Sequence, residues 1–325
     1  LQEKIGQLNL SVTGTIVTGQ AKSSDIAGKI TRGEVGGLFN LKGVKNIRDM
    51  QKIAVEQSRL KIPLLFGMDV IHGYETVFPI PFSLSCSWDM QAIKRSAQIA
   101  AQEASADGLN WTFSPMLDIC VDPRWGRMAE AKWKLGLFAD PYRYCNEKRA
   151  KKEIFTPAHR AEARNIAAET FVLLKNNGKV LPLQKKGRIA LVGPLASSKR
   201  NMSGTWSLVA RFDENKTLLQ AMKEAVGDKA EVLYARGCNF MHDAKLEANA
   251  GIYERDKRSD KEMLDEAIAV SRNADVIVAA VGESSDMSGE CCSRSNLDMP
   301  DAQRDMLAAL KISVLQFFCF SVLLF

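Results

Sequence analysis

Three stretches of the chain combine residue types able to hold a polyhydroxyl ligand or move a proton. In GMDVIHGY (Gly67 to Tyr74), Asp69 stands where an apolar run ends and a loop begins. Ligand sites in parallel α/β folds collect at that end of the strands. A carboxylate there can accept from two sugar hydroxyls; the position equally suits an N-cap or a loop ion pair. In DPRWGRMAE (Asp122 to Glu130), Arg124 and Arg127 flank Trp125. Guanidinium groups give forked hydrogen bonds, and an indole face packs on the apolar side of a sugar ring; the bland alternative is a surface loop with Trp125 as a packing lid. In VGESSDMSGECCSRSNLDMP (Val281 to Pro300), Glu283 and Glu290 lie in a long polar loop after an apolar run. A glutamate there is a candidate general acid, since long loops in compact domains are often functional; the alternative is a plain surface loop.

Each stretch needs a scaffold. EVGGLFN (Glu34 to Asn40), IPLLFGMD (Ile62 to Asp69) and LNWTFSPMLDI (Leu109 to Ile119) read as strands. Between them, NIRDMQKIAVEQSRL (Asn46 to Leu60) and Ser87 to Gly108 read as helices, the second closed by Gly108 as a left-handed terminator. Strands alternating with helices predict parallel βα units. The run AKWKLGLFADPYRY (Ala131 to Tyr144) reads as an amphipathic helix, and EKRAKKE (Glu147 to Glu153) as a solvated linker. A second α/β region follows. Thr156 and Pro157 open a helix running to about Leu174. GRIALVGP (Gly187 to Pro194) and ADVIVAAVGE (Ala274 to Glu283) read as buried strands. Ser259 to Glu262 is a capping box, followed by a stripe of Met263, Leu264, Ala267, Ile268 and Val270.

Composition fits a globular chain and excludes several classes. The 325 residues are 46% hydrophobic and 25% charged, with a formal charge of +6. The basic residues are scattered or mixed with acids, so no nucleic-acid patch is expected. Seven cysteines without regular spacing predict neither a zinc site nor a disulfide framework. No basic-then-apolar signal segment opens the chain. The apolar end ISVLQFFCFSVLLF (Ile312 to Phe325) falls short of the roughly 20 residues that span a bilayer, so a buried strand is expected and no membrane span. No GxGxxG or Walker sequence follows IALVG, which argues against nucleotide binding.

The motifs EKIGQLNL, GMDVIHGY, SPMLDICVDPRWGR, AAETFVLLKN, LPL, IALVGPLA and DMPDAQRDMLAAL occur in that order. With them the chain resembles the glycoside hydrolase family 3 β-glucosidases from Leu1 to Leu310. The resemblance implies an α/β protein in which a TIM-type barrel precedes an α/β sandwich with a mostly parallel sheet. It implies exo-acting hydrolysis of terminal non-reducing β-D-glucosyl residues with retention, through a covalent glycosyl-enzyme. By that likeness Asp69 and Arg127 bind the terminal sugar and Glu290 is the acid/base, with Glu283 the second choice. The chemistry calls for no metal and no organic cofactor. The partner is a β-glucoside or oligosaccharide; a homo-oligomer is possible, and a periplasmic or secreted location is implied.

The chain departs from the pattern after Glu130. There the family continues through further barrel strands that carry a Lys-His pair and the nucleophilic Asp. Here Glu130 runs into Ala131 and a segment like the one closing the barrel domain. A TIM barrel takes about 250 residues, and residues 1–144 supply fewer. The expected organisation is therefore an incomplete barrel over 1–144, a linker over 145–158 and a truncated sandwich over 159–325. KISVLQFFCFSVLLF also replaces the expected turn and strand at the end. No residue matches the family nucleophile; Asp118 and Asp122 are acids on the surviving third unit without that role. Two readings stay open: a β-glucosidase, inactive where the nucleophile is lacking, and a non-catalytic carbohydrate-binding or interaction remnant of one.

Overall fold

The computed structural model describes residues 3, 6–13, 25–114, 132, 134–176, 179–207, 209–249, 254–287, 298–313 and 318–321. The chain divides into two compact units. One comprises Leu1–Phe171 with Trp206–Ala210, the other Val172–Thr205 with Arg211–Phe325.

In the first unit, β1 (Leu10–Val12), β2 (Gly37–Phe39), β3 (Leu65–Met68) and β4 (Trp111–Thr112) form a parallel sheet in chain order. Helices α1 (Ile26–Thr31), α2 (Val44–Lys52), α3 (Pro81–Cys86) and α4 (Met90–Ala106) connect them. Each strand lies beside its predecessor, which is barrel-type winding; among the described residues the sheet does not close, so this is a partial TIM-type barrel. Leu64, Phe66 and Met68 alternate onto the core face, where they pack with Leu38 and Ile47. On the other face Phe39 and Trp111 meet Phe113 edge-on, with ring centroids 5.1 and 4.7 Å apart. Gly67 stands beneath this cluster; a Cβ there would lie 2.7 Å from the Phe113 ring.

Helix α4 fits tightly because its buried stripe consists mainly of alanines, with Ser96, Ile99 and Glu103. Asp89 caps its first turn, accepting from the amides of Gln91 and Ala92 at 2.7 and 3.1 Å. Gly108 follows its end at φ +100°, as the sequence predicts. The segment after residue 131 differs from the expected amphipathic helix. Its described residues beyond 134 are mainly turns, with Gly136 at φ +72° and Pro141 interrupting the period while Leu137 stays buried. EKRAKKE is a helix, α5 (Glu147–Glu153), with no buried residue. Helix α6 (Pro157–Glu169) starts at Thr156 as expected but ends five residues before Leu174 and lies with the first unit. Its Ile166 and Ala163 pack with Phe78, Leu84, Ala92 and Ile99, which draws it to α4.

In the second unit, β5 (Arg188–Val192), β6 (Glu231–Ala235), β7 (Val276–Val281) and β8 (Phe318–Ser321) form a parallel sheet in the order β6-β5-β7-β8. Helices α7 (Leu218–Val226), α8 (Ala244–Asn249), α9 (Asp260–Arg272) and α10 (Asp301–Ser313) complete it. The order reverses between β5 and β7, the arrangement of a doubly wound sheet. The apolar end of the chain supplies β8, in register with β7 from Val278↔Phe318 onward. Among the described residues no helix is long and apolar enough to cross a membrane.

Candidate functional site at the strand ends

Asp69 is the first residue past β3 and is half-buried. The loop it opens is tied down by buried polar contacts. His72 Nδ1 lies 2.7 Å from the Phe78 carbonyl, and the Phe78 amide donates to the His72 carbonyl at 2.7 Å. Gly73, at φ +128°, bridges to Val77; a Cβ there would meet the Thr76 carbonyl at 2.2 Å. The Tyr74 hydroxyl donates to Asp107 Oδ2, which also accepts from the Gly43 amide at 2.8 Å. One carboxylate thereby joins the loops after β2 and β3. Burial pushes the Tyr74 phenol well above its usual range and raises the Asp107 carboxyl.

Two further groups complete the clamp. Lys42, three residues past β2, lies 2.7 Å from Glu75 Oε1 and donates to the Val209 carbonyl at 3.3 Å. Its ammonium also sits 5.9 Å from the centroid of the Tyr74 ring. Glu103, fully buried on α4, accepts from the amides of Glu75 and Thr76 at 3.1 and 2.9 Å and from the Thr76 hydroxyl at 2.6 Å. The loop is therefore a fixed stage for Asp69. Sequence reading passed over Lys42, Glu103 and Asp107. Glu103 and Asp107 carried a signal: carboxylates four residues apart, the first on a buried face otherwise made mostly of alanines.

In the second unit, Glu283 lies two residues past β7 and is half-buried. The side chain of Gln303 accepts from the Gly282 amide and donates to the Gly282 carbonyl, both at 2.8 Å. Asn201 Oδ1 accepts from the Ser285 amide at 2.6 Å, and Thr205 donates to the Ser285 carbonyl at 2.9 Å. Arg200 holds Asp286 at 2.8 and 3.1 Å. The stem of the glutamate loop thus leaves the sheet at the β5/β7 switch point, where ligands of doubly wound sheets bind. Glu290 itself, with Arg127, Trp125, Asp118 and Asp122, lies outside the described residues. The structure thus describes Asp69 and Glu283, each at a strand end in its own unit. Among the described residues no group of three His, Cys, Asp or Glu side chains could hold a metal ion.

Known proteins share this plan. Residues 1–134 match the glycosyl hydrolase family 3 N terminal domain, and residues 171–315 match the glycosyl hydrolase family 3 C-terminal domain. A periplasmic beta-glucosidase of Salmonella typhimurium is 28% identical over 498 aligned residues, covering 96% of this chain and 64% of that protein. The aligned stretch is longer than this 325-residue chain. A beta-xylosidase of Formosa agariphila is 31% identical over 204 residues, 61% of this chain and 26% of that one. The chain thus spans less than two thirds of the length of either relative. The structure of a beta-glucosidase from Listeria innocua in complex with isofagomine superposes with a TM-score of 0.81, at 21% identity, over 99% of this chain and 67% of that one. A partial parallel barrel followed by a doubly wound sheet, with both domain matches in that order, places the chain in glycosyl hydrolase family 3.

Proposed function

We propose that this chain carries the sugar-binding portion of a β-glucosidase site, acting on terminal non-reducing β-D-glucosyl residues. The observation that carries the reading is Asp69 at the end of β3, on a loop fixed by Glu103 and Asp107. In this reading Asp69 accepts from two hydroxyls of the terminal sugar and Arg127 donates to them. Glu290, or Glu283 in second place, protonates the departing glycosidic oxygen. The relative from Salmonella, named a periplasmic beta-glucosidase, supports the substrate class and a periplasmic or secreted location.

Retaining hydrolysis needs two carboxyl groups about 5–5.5 Å apart, one of them a nucleophile. No residue of this chain matches the family nucleophile. That the alignment with the Salmonella protein is longer than this whole chain supports placing the nucleophile in the part this chain lacks. The chain alone would then bind the sugar without turning it over, and a non-catalytic carbohydrate-binding role is the second reading. The test is release of p-nitrophenol from its β-glucoside by the purified chain beside Glu290→Gln. Equal background from both is expected. Release that Glu290→Gln abolishes would show a nucleophile in this chain and overturn the inactive reading.

A further inference from the structure

We propose that two copies of this chain pair through their first units, β4 of each adding to β1 of the other, so that two half-sheets close one eight-stranded parallel barrel. The first sheet has four strands, all parallel and in chain order. A closed TIM-type barrel has eight such strands and no edge. Among the described residues, β1 and β4 each pair on one side only, so both outer edges carry unused backbone donors and acceptors. A twofold rotation about the barrel axis keeps every strand parallel. It makes the same β4-to-β1 join twice and leaves no edge. The strand count therefore selects the occupant: the half that is lacking is a second copy of the half that is present.

The two faces of the sheet point the same way. Leu38, Phe66 and Met68, on the helix side, are at most 1% exposed. The opposite face would line the interior of a closed barrel; by the observed register it carries Leu10, Phe39, Leu65 and Trp111. Leu65, on an inner strand, is 3% exposed, whereas Leu10 and Trp111, on the two outer strands, are 39% and 37% exposed. In a closed barrel such a layer is covered by side chains from the strands opposite. The join also has a register. Leu10 lies level with Gly37 and Leu65, and Gly67 with Trp111, so Leu10 is level with Leu109. A shear of about 8, divided between two equal halves, displaces each join by about four residues. In one direction that carries Leu10 of one copy to Ser105, inside α4; in the other it reaches Phe113, which packs on the interior face with Phe39 and Trp111. Only the second direction is open, and it sets two apolar interior side chains next to each other.

This pairing rests on the fold and is independent of the sugar reading at Asp69. Light scattering on the full chain eluting from a size-exclusion column should give the mass of two chains. The Asn9 carbonyl accepts from the Gly37 amide at 3.2 Å and the Thr13 amide donates to the Phe39 carbonyl at 3.0 Å, so Leu10, between them in the alternation, turns its N–H to the open edge. Leu10→Pro therefore removes a donor from the join, spares the ladder to β2 and should return the mass to that of one chain. Leu10→Cys combined with Phe113→Cys should give a covalent dimer on mild oxidation that wild type and either single variant do not give. A single-chain mass for wild type, a dimer unchanged in Leu10→Pro, or no cross-link specific to the cysteine pair would each overturn the closed barrel.

Discussion

The carboxyl group of Glu103 lies 2.7 Å from His159 Nδ1, with both side chains buried. The same carboxyl accepts from the amides of Glu75, Thr76 and Phe155, the last at 2.8 Å. One side chain of α4 therefore fastens the loop that carries Asp69 on one side and the start of α6 on the other. Each of those donors is far from Glu103 in sequence, so the clamp exists only once the unit has folded.

Removing that carboxyl should be costly. Glu103→Ala strands several buried donors, and breaking such a network costs about 3 kcal/mol or more. Glu103→Gln keeps one acceptor and should lose less. Denaturant unfolding followed by tryptophan fluorescence measures both; an alanine variant as stable as wild type would mean that the network adds nothing.

Gly193 and Gly204 make a matched pair. A Cβ on Gly193, at φ +113°, would lie 2.1 Å from the Ala280 carbonyl of the neighbouring strand, whereas a Cβ on Gly204, at φ +73°, would meet no other atom within 4 Å. Gly193→Ala therefore suffers backbone strain and a clash, and should destabilise by more than about 2 kcal/mol. Gly204→Ala suffers strain alone, about 2 kcal/mol at φ +73° and ψ −175°, and should lose less than Gly193→Ala. Equal losses in unfolding experiments would refute the close approach of β5 to β7 at this point.

Much of this scaffold is legible in the sequence, and the illegible parts have a common cause. Strands β3, β5 and β7 are apolar runs, and the capping box reads directly: Glu262 N lies 3.2 Å from Ser259 Oγ and Ser259 N lies 2.9 Å from Glu262 Oε2. Strand β6, at the edge of its sheet, has two half-buried residues and one exposed among five, so it lacks the continuous run that marks a buried strand. Glu103 escaped for another reason. Its partners Glu75 and His159 are 28 and 56 residues away, beyond any local pattern. The place of Asp69, one residue past β3, is legible because a carboxylate closing an apolar run is a local signal.

His242 should make the second unit sensitive to pH. Its ring nitrogens lie 2.7 Å from Asp260 on α9 and 3.0 Å from Asp305 on α10, and its amide donates to Asp301 at 3.1 Å. Asp260 above all, with Asp305, raises the imidazole pKa over its usual 6.5 against a partial desolvation cost. A raised folded pKa contributes stability that is fully present below the unfolded value and lost as pH rises through the folded one. Melting temperature should therefore fall from about pH 6 toward pH 8, and His242→Asn should flatten that fall. The imidazole is 41% exposed, so salt should weaken the effect as well. An identical pH profile in the variant would remove His242 from the account.

If Asp69 and Arg127 hold the sugar without the Lys-His pair of the family's further strands, a small external anion should stand in for the nucleophile. With a good leaving group such as 2,4-dinitrophenolate, bond breaking needs no acid. Azide can then attack the anomeric carbon from the face the nucleophile would occupy. A C–N bond forms, the C–O bond to the phenol breaks, and its electron pair leaves with the phenolate. One displacement inverts the centre, so the product is α-glucosyl azide, whereas an intact retaining enzyme uses two displacements. The chain should therefore release dinitrophenolate faster in azide than in matched chloride. Asp69→Asn should abolish the acceleration by loosening the grip on the sugar, and Glu290→Gln should leave it nearly unchanged because this leaving group needs no proton. Acceleration that survives Asp69→Asn would place the reaction in solution and away from the strand-end site; no acceleration at all would mean that Asp69 and Arg127 do not hold the sugar unaided.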